Sequence, residues 1–220
     1  MKKLMLLLVL AAAVAGGTFA QSEIKLSVGG GLYFTSDFGG GVEISSGKAT
    51  ASLKTPYAGG GGFVFFDATY AELSLGIFGG GGATKLEGSG LSTEEDMSYT
   101  GLDIGLLGKY PVTLNEQLSV FPFFGIKYRA MLSVKEEGNM YKNSNGDDAP
   151  GDFSALWFKF GGGVDFSLTD QLYVRGELSY GLRFSNTFEL DYVDATSPAL
   201  NPKALLGHGL EITVAAGYRF

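Results

Sequence analysis

Residues 172–183 have the sequence LYVRGELSYGLR. Every second position, beginning at Leu172, carries a large apolar side chain or glycine. The intervening positions include Arg175 and Glu177, so charged side chains lie opposite apolar ones such as Val174 and Leu178. A period of two is the pattern of a β-strand, in which successive side chains point to opposite faces. The stretch therefore predicts a strand with one apolar face and one polar face.

Seven further stretches share this alternation, and no convincing capped amphipathic helix interrupts them. The eight predicted strands span residues 23–34, 57–67, 70–85, 97–112, 118–134, 153–168, 172–184 and 207–220. Two of them contain irregularities. Pro122 cannot donate a ladder hydrogen bond, so we expect a bulge there or a later start of the fifth strand. Residues 63–66 are all apolar, which leaves the facing of the second strand open.

The connections between the predicted strands alternate in length. Residues 67–69, 113–117 and 169–171 are tight turns, whereas residues 35–56, 86–96, 135–152 and 185–206 form long polar loops. Short turns at one end and long loops at the other are typical of bacterial outer-membrane barrels. Each stretch also supplies the roughly 9–11 residues that a tilted membrane strand requires.

The N-terminus indicates export. Two lysines at positions 2 and 3 precede an apolar run over residues 4–15, and small residues follow up to Ala20. This arrangement predicts a secretory signal peptide, residues 1–20, followed by one barrel domain, residues 21–220. The alternative, a membrane-anchoring helix, is disfavoured because the run is shorter than the roughly 20 apolar residues that span a bilayer.

Alternation alone does not say which face is inside. A soluble eight-stranded barrel of the lipocalin kind has an apolar interior, and a membrane barrel has the reverse. Export and the difference in loop length favour apolar side chains facing lipid. Aromatic residues near the strand ends then form two interfacial girdles. The predicted girdles comprise Tyr110, Phe166, Tyr218 and Phe220 at one rim, and Phe34, Tyr99 and Phe184 at the other.

Composition narrows the function further. The chain has 35 glycines, 17 phenylalanines and 11 tyrosines among 220 residues, which favours strands and tight packing over helices. It has no cysteine, which excludes disulfides, thiolate catalysis and thiolate metal sites. Its formal net charge of −7 argues against nucleic-acid binding. Nothing in the sequence predicts a metal site or a cofactor.

The C-terminal stretch, residues 213–220, resembles the assembly signal of outer-membrane barrels. Its elements are the polar Thr213, the small Ala215 (where glycine is usual), and two aromatic residues at alternate positions, Tyr218 and Phe220. The resemblance implies recognition by the barrel-assembly machinery. At family level, residues 21–220 resemble the small outer-membrane barrels of the OmpX, OmpW and OmpA type. That resemblance implies an all-β, eight-stranded, antiparallel, up-and-down barrel embedded in outer-membrane lipid.

With lipid outside, charges of both signs face the lumen. The predicted inward set contains Lys25, Lys109, Lys127, Arg129, Lys159, Arg175, Arg183, Arg219, Glu72, Asp103, Asp165, Glu177 and Glu211. An unpaired buried charge costs several kcal/mol, so these residues should pair. Because eight strands leave an interior just wide enough for side chains to fill, we expect a plugged lumen. A gated polar path is the alternative.

Glycine is concentrated on the first three strands, at residues 29–31, 59–62 and 79–82. Glycines allow a tight barrel to bend, and this is their simplest role. The resemblance to OmpW-type barrels implies another role, in which the thin wall permits lateral exit of an apolar molecule.

Three functions stay open. The loops are acidic at residues 94–96, 136–137 and 147–148, and outward-facing loops are natural contact sites, so we expect a surface barrel that adheres to or interacts with external partners. The alternative is a narrow conduit for small hydrophobic solutes. A lipid-modifying enzyme is a third option, for which Ser133 and Ser179 are candidate nucleophiles, but the chain has a single histidine, His208, and no Gly-x-Ser-x-Gly motif. We therefore expect no enzymatic activity.

Overall fold

The structure is a computed structural model that describes residues 25–46, 49–88, 91–142, 146–184, 186, 196 and 202–220. The predicted signal peptide, residues 1–20, lies outside the described residues. Within the described part of the chain, no helix is long and apolar enough to cross a membrane.

The described residues form thirteen strands and one turn of 3-10 helix. The strands are β1 (Leu26–Asp37), β2 (Gly41–Ser46), β3 (Ala49–Lys54), β4 (Tyr57–Ala68), β5 (Ala71–Gly88), β6 (Leu91–Lys109), β7 (Val112–Thr113), β8 (Leu118–Glu136), β9 (Asn139–Met140), β10 (Ala155–Ser167), β11 (Leu172–Arg183), β12 (Pro202–Leu205) and β13 (Gly207–Arg219). The 3-10 turn spans Pro150–Phe153.

Eight long strands close into a barrel, and all of their pairings are antiparallel. Around the barrel their order is β1, β4, β5, β6, β8, β10, β11 and β13, and β13 pairs with β1 to complete the circle. The predicted eight-stranded, antiparallel, up-and-down barrel is therefore confirmed. We call the end with the short connections the turn end and the opposite end the loop end.

The loop end is more regular than the sequence predicts. Residues 35–56, 86–96 and 185–206 were expected to be loops, yet they contain strands β2, β3 and β12 and the outer parts of β5 and β6. The sheet continues beyond the barrel in the order β12, β2, β3, β5. Polar residues occupy both faces of much of this region, so the apolar alternation that marks the other strands is missing. We call β2, β3, β12 and residues 83–96 of β5 and β6 the sheet extension.

Pro122 causes no bulge and does not delay β8. The register between β8 and β10 is continuous through Pro122, which lies opposite Gly162. The Pro122 carbonyl accepts a 3.1 Å hydrogen bond from the Tyr110 N–H, just past the end of β6 at Lys109. The proline nitrogen faces the same way, so the bond that proline cannot donate falls past the end of β6, and the ladder between β8 and β10 stays continuous. The register shift in this part of the wall lies between Thr100 and Gly101 of β6.

On nearly every barrel strand, side chains alternate between the lumen and the outer surface as the sequence predicts. Large apolar side chains such as Leu32, Ile77 and Phe124 are exposed on the outer surface, and the predicted lumen residues other than Lys25 face inward. In β4, which is the second predicted strand, Phe65 is buried and Val64 is exposed, so Phe65 faces the lumen and Val64 faces outward. The prediction that Tyr99 belongs to an interfacial girdle is wrong. Tyr99 lies four residues before the inward-facing Asp103 on β6, so its side chain also faces the lumen.

Inward-facing glycines make room for aromatic rings on neighbouring strands. A Cβ atom added at any of these glycines would collide with the adjacent ring or come closer to it than a real Cβ does. The pairs are Gly29 with Phe65, Gly59 with Phe78, Gly163 with Phe121, Gly181 with Trp157, and Gly217 with Tyr173. Glycine and aromatic residues are therefore abundant together, because each of these rings lies close to the backbone of a glycine.

Candidate functional site: the filled lumen and the sheet extension

Five buried charged side chains meet in the turn-end half of the lumen. They are Asp67, Glu72, Lys109, Asp165 and Arg175, which we call the turn-end charge group. The Arg175 guanidinium donates two hydrogen bonds to Asp165, 2.7 and 2.9 Å long, and one of 2.8 Å to Asp67. It also donates to Glu72, and Lys109 donates to Asp67. One arginine thus binds three carboxylates on three different strands, which ties opposite walls together.

Aromatic rings surround the Arg175 guanidinium. Its central carbon lies 5.0 Å from the ring centre of Phe65, 4.9 Å from that of Phe121 and 5.3 Å from that of Tyr173. Cations are attracted to ring faces, most strongly where water is excluded. The rings that cover the inward glycines therefore also position the cation of the turn-end charge group.

A second group lies halfway along the lumen and comprises Asp103, Lys127, Arg129, Lys159 and Glu211. We call it the central charge group. Arg129 donates to both oxygens of Asp103, each bond 2.7 Å long. The Lys127 ammonium lies 2.8 Å from both oxygens of Glu211 and 3.5 Å from Asp103, so it joins the two carboxylates. Lys159 forms an ion pair with Glu211 as well.

Nearest the loop end, Arg183 donates a 2.6 Å hydrogen bond to Asp37, and both side chains are buried. Sequence reasoning placed Arg183 in the lumen but missed two acids, Asp37 and Asp67, which it assigned to a loop and to a turn. Both acids lie at alternate positions that face the lumen on their strands. Asp37 follows the inward-facing Tyr33 by four residues, and this spacing could have predicted its position.

An aromatic cluster fills the loop-end half of the lumen. We define it as Tyr57, Phe78, Tyr99, Phe153 and Trp157, all of which are buried. Tyr57 packs against Phe78 and Tyr99, with ring centres 5.7 and 5.4 Å apart, and Tyr99 lies 6.2 Å from Phe153. Four of these side chains come from barrel strands, and Phe153 comes from the 3-10 turn. The inward tyrosine, phenylalanine and tryptophan residues of this half were not predicted to form a cluster.

The filled lumen leaves little open space. A cavity of about 30 Å³ lies between the two charge groups, lined by side chains that include Glu72, Lys127 and Glu177. That volume suits one or two water molecules. A much larger space of about 1200 Å³ opens at the turn end and narrows toward Asp67 and Arg175. The lumen is thus a funnel at the turn end and is packed with side chains beyond it.

The remaining predicted lumen residues lie near the charge groups. Arg219 is half-exposed at the turn end, where it donates a 2.7 Å hydrogen bond to Ser167 and stacks on Tyr173. Glu177 is directed inward, 3.9 Å from Arg175. Lys25, which was predicted inside, is an exposed residue that precedes β1, because the chain enters the barrel wall only at Leu26.

The sheet extension presents acidic side chains to solvent. Glu87, Glu94, Glu95 and Asp96 are exposed there, and Glu137, whose N–H donates to the Asp96 carbonyl, is exposed beside them. Two ion pairs cross the extension, Lys54 with Glu87 at 2.8 Å and Lys85 with Glu94 at 3.2 Å. The hydrogen bond from Lys54 holds the pKa of Glu87 below its ordinary value. A hydrogen bond between the Glu95 and Glu136 carboxyl groups raises the pKa of Glu136.

The residues considered for enzymatic chemistry are not brought together. His208 lies on the outer side of the wall, where its ring stacks with Tyr180 and packs edge-on against Phe38. Ser179 is buried inside the lumen, and Ser133 contacts Met140. Within the described ranges, no three histidine or acidic side chains are grouped in a way that could hold a metal ion.

Three solved outer-membrane proteins are similar to this chain at low sequence identity. No curated protein sequence matches the chain significantly. Among solved structures, OprG from Pseudomonas aeruginosa is similar, with 11% identity, a TM-score of 0.48, and 90% of this chain and 96% of that chain covered. Ail, the attachment invasion locus protein of Yersinia pestis, is similar with 15% identity, a TM-score of 0.37, and 90% and 100% covered. The outer membrane protease OmpT of Escherichia coli is similar with 11% identity, a TM-score of 0.44, and 91% and 99% covered.

The family comparison covers nearly the whole chain. The profile of the outer membrane protein beta-barrel domain matches residues 4–220. Closure of eight antiparallel strands, an apolar outer surface and a charged lumen are the features expected of such a barrel. This chain therefore belongs to the outer membrane protein beta-barrel domain family and is located in the outer membrane.

Proposed function

We propose that this protein is a surface barrel whose sheet extension contacts molecules outside the cell. In outer-membrane barrels the short turns face the periplasm and the longer connections face outward. The sheet extension is then extracellular, and its ordered strands hold Glu94, Glu95 and Asp96 in exposed positions. This observation carries the proposal, because a rigid, acidic, projecting surface suits recognition of a cationic partner.

The experiment compares the two ends of the same barrel. Glu94→Gln, Glu95→Gln and Asp96→Asn are combined in one variant, and the exposed turn-end acids are neutralised in a control variant, Glu116→Gln with Asp170→Asn. Intact cells that produce each variant are tested for adhesion to polylysine-coated surfaces and to cultured epithelial cells. We expect several-fold lower adhesion for the first variant only. Equal adhesion for all three proteins would reject the proposal.

A narrow conduit for hydrophobic solutes has weaker support. The turn-end and central charge groups and the aromatic cluster fill the lumen, and the wall is hydrogen-bonded along β1, β4, β5 and β6. We expect no discrete currents from refolded protein in planar bilayers. Discrete currents that change in Lys127→Ala or Arg183→Ala would favour the conduit instead. A lipid-modifying enzyme has less support still, because His208 and Ser179 lie on opposite faces of the wall.

We further propose that β13 carries the signal for the barrel-assembly machinery. Thr213 and Ala215 face the lumen, whereas Tyr218 and Phe220 face outward at the turn end. Phe220 is 75% exposed, so it is accessible to a partner. Phe220→Ala should lower the amount of heat-modifiable barrel recovered from outer membranes, with unchanged refolding of the purified protein in detergent.

A further inference from the structure

The small cavity in the middle of the lumen lies between two strands on opposite walls of the barrel. Three strands separate β5 from β11 in either direction around the circle. β5 contributes Glu72 and Ser74 to the cavity, and β11 contributes Glu177 and Ser179. The two residues of each pair are two positions apart, so both side chains face the lumen. Two carboxylates and two hydroxyls therefore surround a space of about 30 Å³.

Three of these four side chains lack a hydrogen-bond partner. Among the residues that the structure describes, Ser74, Ser179 and Glu177 form no side-chain hydrogen bond. Ser179 is only 4% exposed, and the Glu177 side chain is 10% exposed. The ionic contact of Glu177 is Arg175, 3.9 Å away, which already donates four hydrogen bonds to other carboxylates. Buried polar groups without partners are rare, so something else is expected to bind them.

The charges of the lumen balance except for Glu177. The turn-end charge group has two cations and three carboxylates, and the central charge group has three cations and two carboxylates. Glu177 adds a sixth carboxylate. Lys127 and Lys159 line the cavity too, but both are bound to Glu211. Arg219 lies at the half-exposed rim of the funnel. One buried negative charge thus remains uncompensated, which is strongly unfavourable.

We propose that this cavity binds one sodium ion. The Glu177 carboxylate compensates the charge of the ion, and the hydroxyl oxygens of Ser74 and Ser179 are neutral ligands. Glu72 binds Arg175 through one carboxylate oxygen, which leaves the other available to the ion. Oxygen atoms are the ligands that hard cations prefer. A sodium ion is smaller than a water molecule, so the cavity also has room for a water that completes the coordination.

Size and charge select sodium over other cations. Caesium and choline are too large for a cavity that suits one or two water molecules. Calcium takes six to eight oxygen ligands and would bring a second positive charge close to the ammonium groups of Lys127 and Lys159. Over the described ranges, no three acidic or histidine side chains are grouped as a divalent ion would require. The site therefore suits a small monovalent ion.

The stability of the barrel tests the proposal, because an ion that binds only the folded state must stabilise it. The protein is refolded in phosphatidylcholine vesicles, and urea unfolding is followed by gel mobility in sodium, caesium or choline chloride at one pH and one ionic strength. Above the dissociation constant, each tenfold increase in sodium should raise the folding equilibrium constant about tenfold. Exchange of caesium for choline should leave it unchanged. The ion can bind during refolding, so no open path through the filled lumen is needed.

Variants assign the effect to the cavity. Glu177→Gln should abolish the sodium dependence and, in choline, should be at least as stable as the unaltered protein, because the uncompensated charge is gone. Ser179→Ala should keep the dependence but weaken sodium binding about fivefold, the effect of one polar contact. The matched control, Asp165→Asn, removes a buried carboxylate that does not line the cavity. It should lower stability and keep the full sodium dependence.

Two results would overturn the proposal. Equal unfolding curves in sodium, caesium and choline would show that the cavity holds only water or that Glu177 carries a proton. An unchanged sodium dependence in Glu177→Gln would show that sodium acts elsewhere. If Glu177→Gln does not fold, the double variant Ser74→Ala with Ser179→Ala replaces it, and an unchanged sodium affinity in that variant would equally reject the site.

Discussion

Ion pairs dominate the turn-end half of the lumen, whereas aromatic rings fill most of its loop-end half, beside the buried pair of Arg183 and Asp37. In the turn-end charge group, Arg175 is paired with three carboxylates, so its loss leaves more buried carboxylates than the remaining cation, Lys109, can compensate. In the aromatic cluster, loss of one ring leaves a cavity into which neighbours can relax. The charged half is therefore fixed in one arrangement, and the aromatic half can adapt. The half that can adapt is therefore the one at the loop end.

Removal of Arg175, the arginine of the turn-end charge group, should have the largest effect on stability. Arg175→Met keeps much of the side-chain volume but leaves Asp67, Glu72 and Asp165 without their shared partner. We expect the free energy of unfolding to fall by about 4 kcal/mol, since breaking a buried ion pair typically costs 3–5 kcal/mol. Urea unfolding in lipid vesicles, followed by gel mobility, measures the loss. Arg219→Met at the half-exposed rim is the control, with an expected loss below about 1 kcal/mol.

Truncation of a ring in the aromatic half should cost less. Phe78→Ala removes a fully buried side chain that packs against Gly80 and lies under Arg129. We expect a loss of about 3 kcal/mol, near the lower limit for buried phenylalanines. The same urea titration measures it. A loss as large as that of Arg175→Met would contradict the view that the aromatic half adapts.

Two adjacent glycines test the packing of rings against the wall. A Cβ at Gly163, which faces the lumen, collides with the Phe121 ring, whereas the nearest atom to a Cβ at the outward-facing Gly162 is 3.6 Å away. Gly163→Ala should therefore destabilise the barrel by about 1–3 kcal/mol through overpacking. Gly162→Ala should change its stability by less than about 0.5 kcal/mol. Equal effects in parallel unfolding titrations would show that the rings do not require the glycines.

The smallest effect concerns the sheet extension. The raised pKa of Glu136 means that folding favours its protonated form, which hydrogen-bonds to Glu95. That stabilisation is complete below the ordinary glutamate pKa, about 4.3, and is lost as pH rises through the raised value. Hydrogen-exchange protection factors in residues 94–96 should thus increase about twofold between pH 7 and pH 4. In Glu136→Gln they should be independent of pH over this range.

Strand number and facing could be predicted because alternation is a local property. Arg175, Arg129 and Glu211 were assigned to the lumen from the parity of their own strands alone. Their grouping could not be predicted, because it depends on which residues lie opposite one another across the barrel. The pairing of Gly163 with Phe121 has the same dependence on register. The sheet extension was missed because polar residues outside the membrane have no lipid face that would enforce alternation, and Asp37 was missed because the predicted first strand ended at Phe34.

Closure of the barrel has a consequence for how the chain folds. Ser27 to Asp37 of β1 pair with Arg219 to Gly209 of β13, so the first and last described strands complete the circle. Contacts between such distant parts of a sequence form slowly, since a long segment must be ordered before they can be made. Until then, two long strands have unpaired edges that can bind other chains. An emerging chain therefore needs protection against aggregation for as long as its two terminal strands remain apart.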